Sequence, residues 1–159
     1  MLQVVWFKKD LRAFDHAPLA AAAGAGPVLC LYVVEDGLWQ HPDMAGRHYE
    51  FLTDCLIDLR QQLETLGADL TVMRGAATEC LSRVHKQMGS FILHAHEETG
   101  LKWTFERDMN VANWCREAGV AFNEYRQFGV KRGATDRDKW ASQWEALMAE
   151  PRVIPPTQI

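Results

Sequence analysis

Lys8, Lys9, Asp10 and Arg12 fall within five consecutive positions directly after an apolar run, "QVVWF". Side chains of both signs at that density can pair with one another. They can also grip an anionic group through the cations, or accept hydrogen bonds from ligand N–H groups through the carboxylates. Comparable sets recur downstream. Glu35-Asp36-Gly37 follows "PVLCLYVV", Arg74-Gly75 follows "DLTVM", and Arg126-Gln127-Phe128 follows the run at 120–125. The richest set, His96-Glu97-Glu98-Thr99-Gly100-Leu101-Lys102-Trp103, follows "SFILHA". Trp103 adds a flat aromatic face on which a planar ring can stack.

Other chemistries lack their residues. Gly24-Ala25-Gly26 has no third glycine and ends a helical pattern instead of following a strand, so it is no dinucleotide fingerprint. There is no Walker A sequence and no glycine-flanked serine elbow, and no strand-end serine or cysteine has a matching base. A receiver domain would carry a phosphorylatable aspartate after the third strand, where this chain has Arg74. His94 and His96 alternate on a strand with Glu97 beside them, which is a spacing for three metal ligands. The commoner arrangement is one packed histidine and one rim histidine. His41 and His48 have no matching partner, and no metal is expected.

Positioning the charged sets requires strands that end together. Short apolar runs at 3–7, 27–34, 69–73, 90–95 and 120–125 read as strands, several nearly continuous in apolar residues, as in strands covered on both faces. Helical patterns lie between them. Residues 15–23 are alanine-rich, with Asp15 as the expected N-cap and Gly24-Ala25-Gly26 as the stop. Residues 46–66 place Phe51, Leu52, Cys55, Leu56, Leu59, Leu63 and Leu66 on one stripe. Residues 78–88 close at Gly89. Residues 104–118 carry Phe105, Val111, Ala112, Trp114 and Cys115 and close at Gly119. Strands alternating with helices predict an α/β fold, a doubly wound, Rossmann-like, five-stranded parallel sheet. In such sheets ligands bind at the carboxyl ends of the strands, where every charged set above falls.

Beyond Tyr125 the rhythm breaks. "RQFGVKRGATDRD" is loop-like, and 138–150 predicts a further helix with Trp140, Trp144, Leu147 and Met148 at helical spacing, the two tryptophans expected in the core. Residues 151–159, "PRVIPPTQI", contain three prolines and resist regular structure. They read as the beginning of a linker in a fragment of something larger. The expected organisation is an α/β domain at 1–133, an extra helix at 134–150 and a linker start at 151–159.

Composition sets outer limits. The chain has 159 residues, 48% of them hydrophobic, which suits one domain with a real core. Seventeen basic against twenty-one acidic residues give a net charge of −4, a poor balance for a free-standing nucleic-acid binder. The four cysteines, Cys30, Cys55, Cys80 and Cys115, are scattered, form no CxxC pair and read as small hydrophobes in a reducing compartment. The first apolar stretch is too short for a signal peptide, and no run approaches a bilayer span of about 20 residues. Cytoplasm is the expected location.

The stretch "VVWFKKDLRAFDHAPLAAAA" resembles the start of the photolyase/cryptochrome family: an apolar strand, then W-F-[RK]-x-D-L-R, then an aspartate-led helix. The matching residues are Trp6, Phe7, Lys8, Asp10, Leu11, Arg12, Asp15, His16 and Leu19. Leu31-Tyr32-Val33 is similar to the family's second strand. "FLTDCLIDLRQQLETLGADLTVMRG" is similar to its long helix and next strand, and Arg107-Asp108 matches another recurrent pair. The similarity runs along essentially the whole chain. One departure is plain: many members follow the fourth strand with Asn-Arg-x-Tyr-x-Pro, where this chain has "AHEETGLKWTFERD".

The resemblance implies the N-terminal light-harvesting domain of a deoxyribodipyrimidine photolyase, which repairs pyrimidine dimers by blue-light-driven electron transfer from FAD. FAD and the damaged DNA would be held by a helical C-terminal domain, the partner of this one. Catalytic residues are therefore expected to be absent here, the domain is expected to be inactive and monomeric alone, and no membrane partner is implied. An antenna chromophore, a folate, a deazaflavin or another flavin, is implied at the strand ends. The candidate contacts are Lys9, Asp10, Arg12, Glu35, Asp36, Glu97, Glu98, Lys102 and Trp103. For Asp10 and Arg12 the resemblance favours a scaffold role. The alternatives are a cryptochrome, a blue-light receptor without repair activity, and a stand-alone nucleotide-binding or flavodoxin-like module.

Overall fold

A computed structural model describes residues 1–130, 132–133, 136 and 138–159. Strands β1 (Leu2–Phe7), β2 (Val28–Val34), β3 (Leu70–Arg74), β4 (Phe91–His96) and β5 (Ala121–Tyr125) form one sheet in the order β3-β2-β1-β4-β5. All four pairings are parallel. The expected α/β fold stands, with strand boundaries shifted by a residue at most. Helices α1 (Ala17–Ala25), α2 (Asp36–Trp39), α3 (Gly46–Thr65), α4 (Ala77–Met88), α5 (Lys102–Ala118) and α6 (Trp140–Met148) make up the rest.

Alternation along the strands sends neighbouring side chains to opposite faces. Val5 and Phe7 of β1 meet Leu19 and Ala22 of α1 and Leu59 and Leu63 of α3. Val4 and Trp6 face the other way, onto Cys80 and Leu81 of α4 and Val111 and Cys115 of α5. Helices thus cover both faces, and the central strands bury most of their residues and leave none exposed. The edge strand β5 leaves Ala121, Asn123 and Glu124 exposed.

Several expectations are corrected. The N-cap of α1 is His16, whose Nδ1 accepts the Leu19 N–H at 3.1 Å, and not Asp15. Asp15 takes φ +48° and turns its carboxylate to the Val153 N–H at 2.9 Å. Helix α1 also runs through Gly24 and stops at Gly26. Phe51 and Phe105, placed on buried stripes by spacing, are 70% and 49% exposed. Trp140 and Trp144 are 53% and 42% exposed instead of core. Helix α2 falls where a loop was expected. Gly119, at φ +67°, closes α5 as anticipated, a left-handed position that favours glycine.

Residues 151–159 form no helix or strand, yet they are anchored. Besides Val153 on Asp15, the Ile159 N–H donates to the Leu66 carbonyl at 2.7 Å, and the Ile159 side chain packs against the α1/α3 core. The boundary expected at 134 lies outside the described residues. Among those described, no helix is long and apolar enough to cross a membrane.

Candidate chromophore site at the strand ends

The charge that follows β1 is absorbed by a buried network. Lys8 Nζ pairs with Asp108 Oδ2 at 2.9 Å, and Arg132 Nη2 reaches the same oxygen at 2.6 Å. Arg107 bridges Asp108 Oδ1 at 2.9 Å, Glu98 Oε2 at 2.6 Å and Glu35 Oε2 at 3.1 Å. Lys9 closes on Glu98 Oε1 at 2.9 Å, and Arg132 Nη1 on Glu124 at 2.8 Å. The cations Lys8, Lys9, Arg107 and Arg132 thus balance the carboxylates Glu35, Glu98, Asp108 and Glu124, which is what makes the burial of Lys8, Glu35, Glu98, Arg107 and Asp108 tolerable. Lys8 Nζ and Arg107 Cζ also stand 4.5 and 4.8 Å from the Trp6 ring centroid.

Burial lowers the Lys8 ammonium below its ordinary range. It raises Glu35, only partly countered by Arg107 and the Ala77 N–H. Burial also disfavours the Asp108 carboxylate, but Lys8 and Arg107 outweigh it and hold that group low.

Asp10 lies beneath this network and is 2% exposed. Its Oδ1 accepts the Lys8 N–H at 2.7 Å, and its Oδ2 accepts from His16 Nε2 at 2.8 Å and His96 Nδ1 at 2.6 Å. Those imidazole bonds overcome the cost of burial and hold the carboxylate well below its usual range. Asp10, His16 and His96 also have the make-up of a metal site. The hydrogen bonds argue for a scaffold instead. His16 Nδ1 faces the Leu19 N–H and must carry a lone pair, so the proton sits on Nε2 and points at Asp10. A metal on Nε2 would force a proton onto Nδ1 against that N–H. The expected pairing of one packed and one rim histidine is corrected, since His94 and His96 are 3% and 2% exposed. His94 bonds Gln3 Oε1 and the Tyr125 hydroxyl.

Above the network a cleft of about 540 Å³ opens at the ends of β1 and β2, under α2 and the first turns of α3. Its walls are apolar and aromatic, chiefly Tyr32, Leu38, Trp39, Phe51 and Leu52, and Lys9, Arg12, His48 and Glu98 supply polar groups. The Trp39 indole N–H is buried and has no partner among the described residues. An unpaired buried donor in a cleft wall is what a ligand carbonyl or ring nitrogen would satisfy.

Of the nine residues expected at a site, Lys9, Arg12 and Glu98 border this cleft. Asp10 and Glu35 lie buried beside it, held by protein partners. Asp36 pairs with Arg74 in solvent, and Lys102 pairs with Glu106 while 87% exposed. The Glu97 N–H donates to the Tyr125 carbonyl. Trp103 packs over Gly37, where an added Cβ would lie 3.1 Å from its ring, and lines a separate, smaller cavity. Sequence reasoning missed Trp39, His48 and Phe51. Local spacing carries no signal for them: Trp39 lies in a four-residue helix, and Phe51 shares the periodicity of the core stripe of α3.

The DNA photolyase family model matches residues 3–128. Cryptochrome-2 of Gallus gallus is 32% identical over 118 residues, 74% of this chain and 20% of that protein. A deoxyribodipyrimidine photo-lyase of Halobacterium salinarum is 30% identical over 135 residues, 78% of this chain and 27% of that protein. The archaeal photolyase of Sulfolobus tokodaii, solved with two FAD molecules that implicate a novel light-harvesting cofactor in that protein, superposes with a TM-score of 0.78 at 20% identity. That match covers 99% of this chain and 37% of the archaeal one. The chain thus spans about a fifth to a quarter of the curated relatives named here. With the family model matched over residues 3–128 and the fold shared at a TM-score of 0.78, the chain belongs to the DNA photolyase family, as an N-terminal domain.

Proposed function

We propose that this domain holds a light-harvesting chromophore for a cytoplasmic deoxyribodipyrimidine photolyase. The repair step, electron transfer from FAD to a pyrimidine dimer in DNA, belongs to a helical C-terminal partner domain. The proposed limits are an antenna-type domain at 1–133, an appended helix at 134–150 and the start of an interdomain linker at 151–159. Alone, this monomeric piece has no lyase activity. The observation that carries the reading is the aromatic cleft with the unpaired Trp39 N–H above a rigid, charge-balanced floor.

A bound antenna supplies absorption and passes its excitation on through space, so its placement and orientation matter more than any reactive group. The residues suit a planar heterocycle with a polar tail. Trp39 and Phe51 would flank a ring, the Trp39 N–H would donate to a ring acceptor, and Lys9 would meet an anionic tail at the rim. The ligand class is a folate, a deazaflavin or a flavin. Incubating the chain with each, then recording the absorption spectrum after gel filtration, is the test. A co-eluting pigment with a shifted band supports the reading, and no retained pigment from any class sinks it. Dimer repair under blue light by this chain alone would likewise overturn it.

A further inference from the structure

A second cavity, of about 280 Å³, is bordered by Arg12, Asp15, His96, Arg126, Glu150 and Arg152 among others. It gathers the segments that follow β1, β4 and β5. In this strand order β2 and β4 flank β1 on opposite sides, so the sheet reverses its winding beside this cavity. Ligands in open parallel sheets gather at such reversals. Arg12 borders both this cavity and the chromophore cleft.

The electrostatics differ from the balanced network next door. Arg12 spends Nε and one terminal nitrogen on the Asp15 carbonyl, at 3.2 and 2.9 Å, a neutral partner, and forms no ion pair among the described residues. Arg126 makes one long contact, 3.5 Å, to the Gly129 carbonyl, and its Nε is buried without a partner among the described residues. Among those residues neither Arg126 nor Arg152 forms an ion pair. Of the two rim carboxylates, Asp15 is engaged by the Val153 N–H, which pins the tail carrying Arg152 beside the cavity. Three guanidiniums thus face two carboxylates. A buried guanidinium N–H without an acceptor is a standing cost that a bound oxyanion would remove.

We propose that this cavity binds a phosphate-class oxyanion, free or as the monoester end of a larger molecule, through Arg126 and Arg152 with Arg12 at its side. Three guanidiniums from three separate segments match a tetrahedral dianion with several acceptor oxygens better than a planar carboxylate, which one guanidinium fork satisfies. Glu150 sits on the same rim and opposes the anion.

The test is calorimetric titration of the whole chain with inorganic phosphate, with AMP and with adenosine, at constant ionic strength. Saturable binding of phosphate marks a free-anion site, and binding of AMP alone marks a monoester site. Either supports the proposal when Arg126→Gln and Arg152→Gln each weaken it about tenfold or more and Glu150→Gln tightens it. Arg152 is exposed on the tail, so its substitution reads binding even if Arg126→Gln perturbs folding. No binding of phosphate or AMP up to about 10 mM, affinity unchanged by Arg152→Gln, or adenosine binding as well as AMP overturns it.

Discussion

Lys8 Nζ lies 2.9 Å from Asp108 Oδ2, joining the end of β1 to the middle of α5 through two side chains that are each 3% exposed. Removing one member of such a pair strands the other charge away from water. Lys8→Met should cost about 3 kcal/mol, less than complete isolation of Asp108 because Arg107 and Arg132 remain on it. Asp108→Asn should cost more, since it leaves three cations facing one another. For a domain of this size the Lys8→Met loss corresponds to a fall in Tm of roughly 6–12 °C, read by circular dichroism. A Lys8→Met protein as stable as the parent would mean that desolvation cancels the attraction.

Acid should destabilise this domain earlier than carboxylates alone require. Burial holds the His16 imidazole below its ordinary value of 6.5, and its Nδ1 is already spent on the Leu19 N–H. The unfolded chain therefore takes up a proton near pH 6.5 that the folded chain refuses. This contribution is complete above that pH and is lost as pH falls toward the depressed folded value. His94, also lowered by burial, adds in the same direction. Asp10 adds a further loss, beginning near pH 4, because its folded value is depressed as well. Tm should therefore drop between pH 7.5 and 5, and His16→Asn, which keeps a cap acceptor and a donor, should flatten that slope. An unchanged slope in His16→Asn would remove His16 from this account.

How much of this was legible depended on range. The sheet, its parallel sense and the gathering of charge at the strand ends followed from alternating apolar runs and local spacing. The pairing within the charge did not. Glu98, read as a ligand contact, is taken up by Arg107 and Lys9, and Asp10 is saturated by two imidazoles from distant segments. Periodicity also misassigned Phe51, because a residue at the mouth of a cleft obeys the same helical spacing as one in the core. Trp39 sits in a one-turn helix too short for any period to reveal.

Chromophore binding in the cleft should depend on the Trp39 N–H separately from the indole's bulk. Trp39→Phe keeps an aromatic wall and deletes the donor, so affinity for the retained pigment should fall by about tenfold, the worth of one buried hydrogen bond. Phe51→Ala removes a wall residue that is 70% exposed, so fold stability should hold while the pigment is held less tightly. Fluorescence titration of both variants checks this. Equal affinity in Trp39→Phe and the parent would show that the indole N–H does not meet the ligand.

Gly129 should control whether α6 stays docked. A Cβ at that buried position would fall 2.7 Å from Trp144 Nε1 and 2.8 Å from Cγ, inside contact distance, so the indole must leave. Trp140, stacked 6.4 Å from Trp144, would move with it. Neither ring is part of the two clusters that clamp the sheet. Gly129→Ala should therefore release α6 as a local event while the main unfolding transition shifts by about 1 kcal/mol or less. Faster proteolysis around 139–150 and a red-shifted tryptophan emission, matched by Trp144→Ala, are the expected signature. A large loss of global stability in Gly129→Ala would instead make α6 an integral part of the core, because a helix that buries no residue fully among those described cannot carry the stability of a sheet closed on both faces.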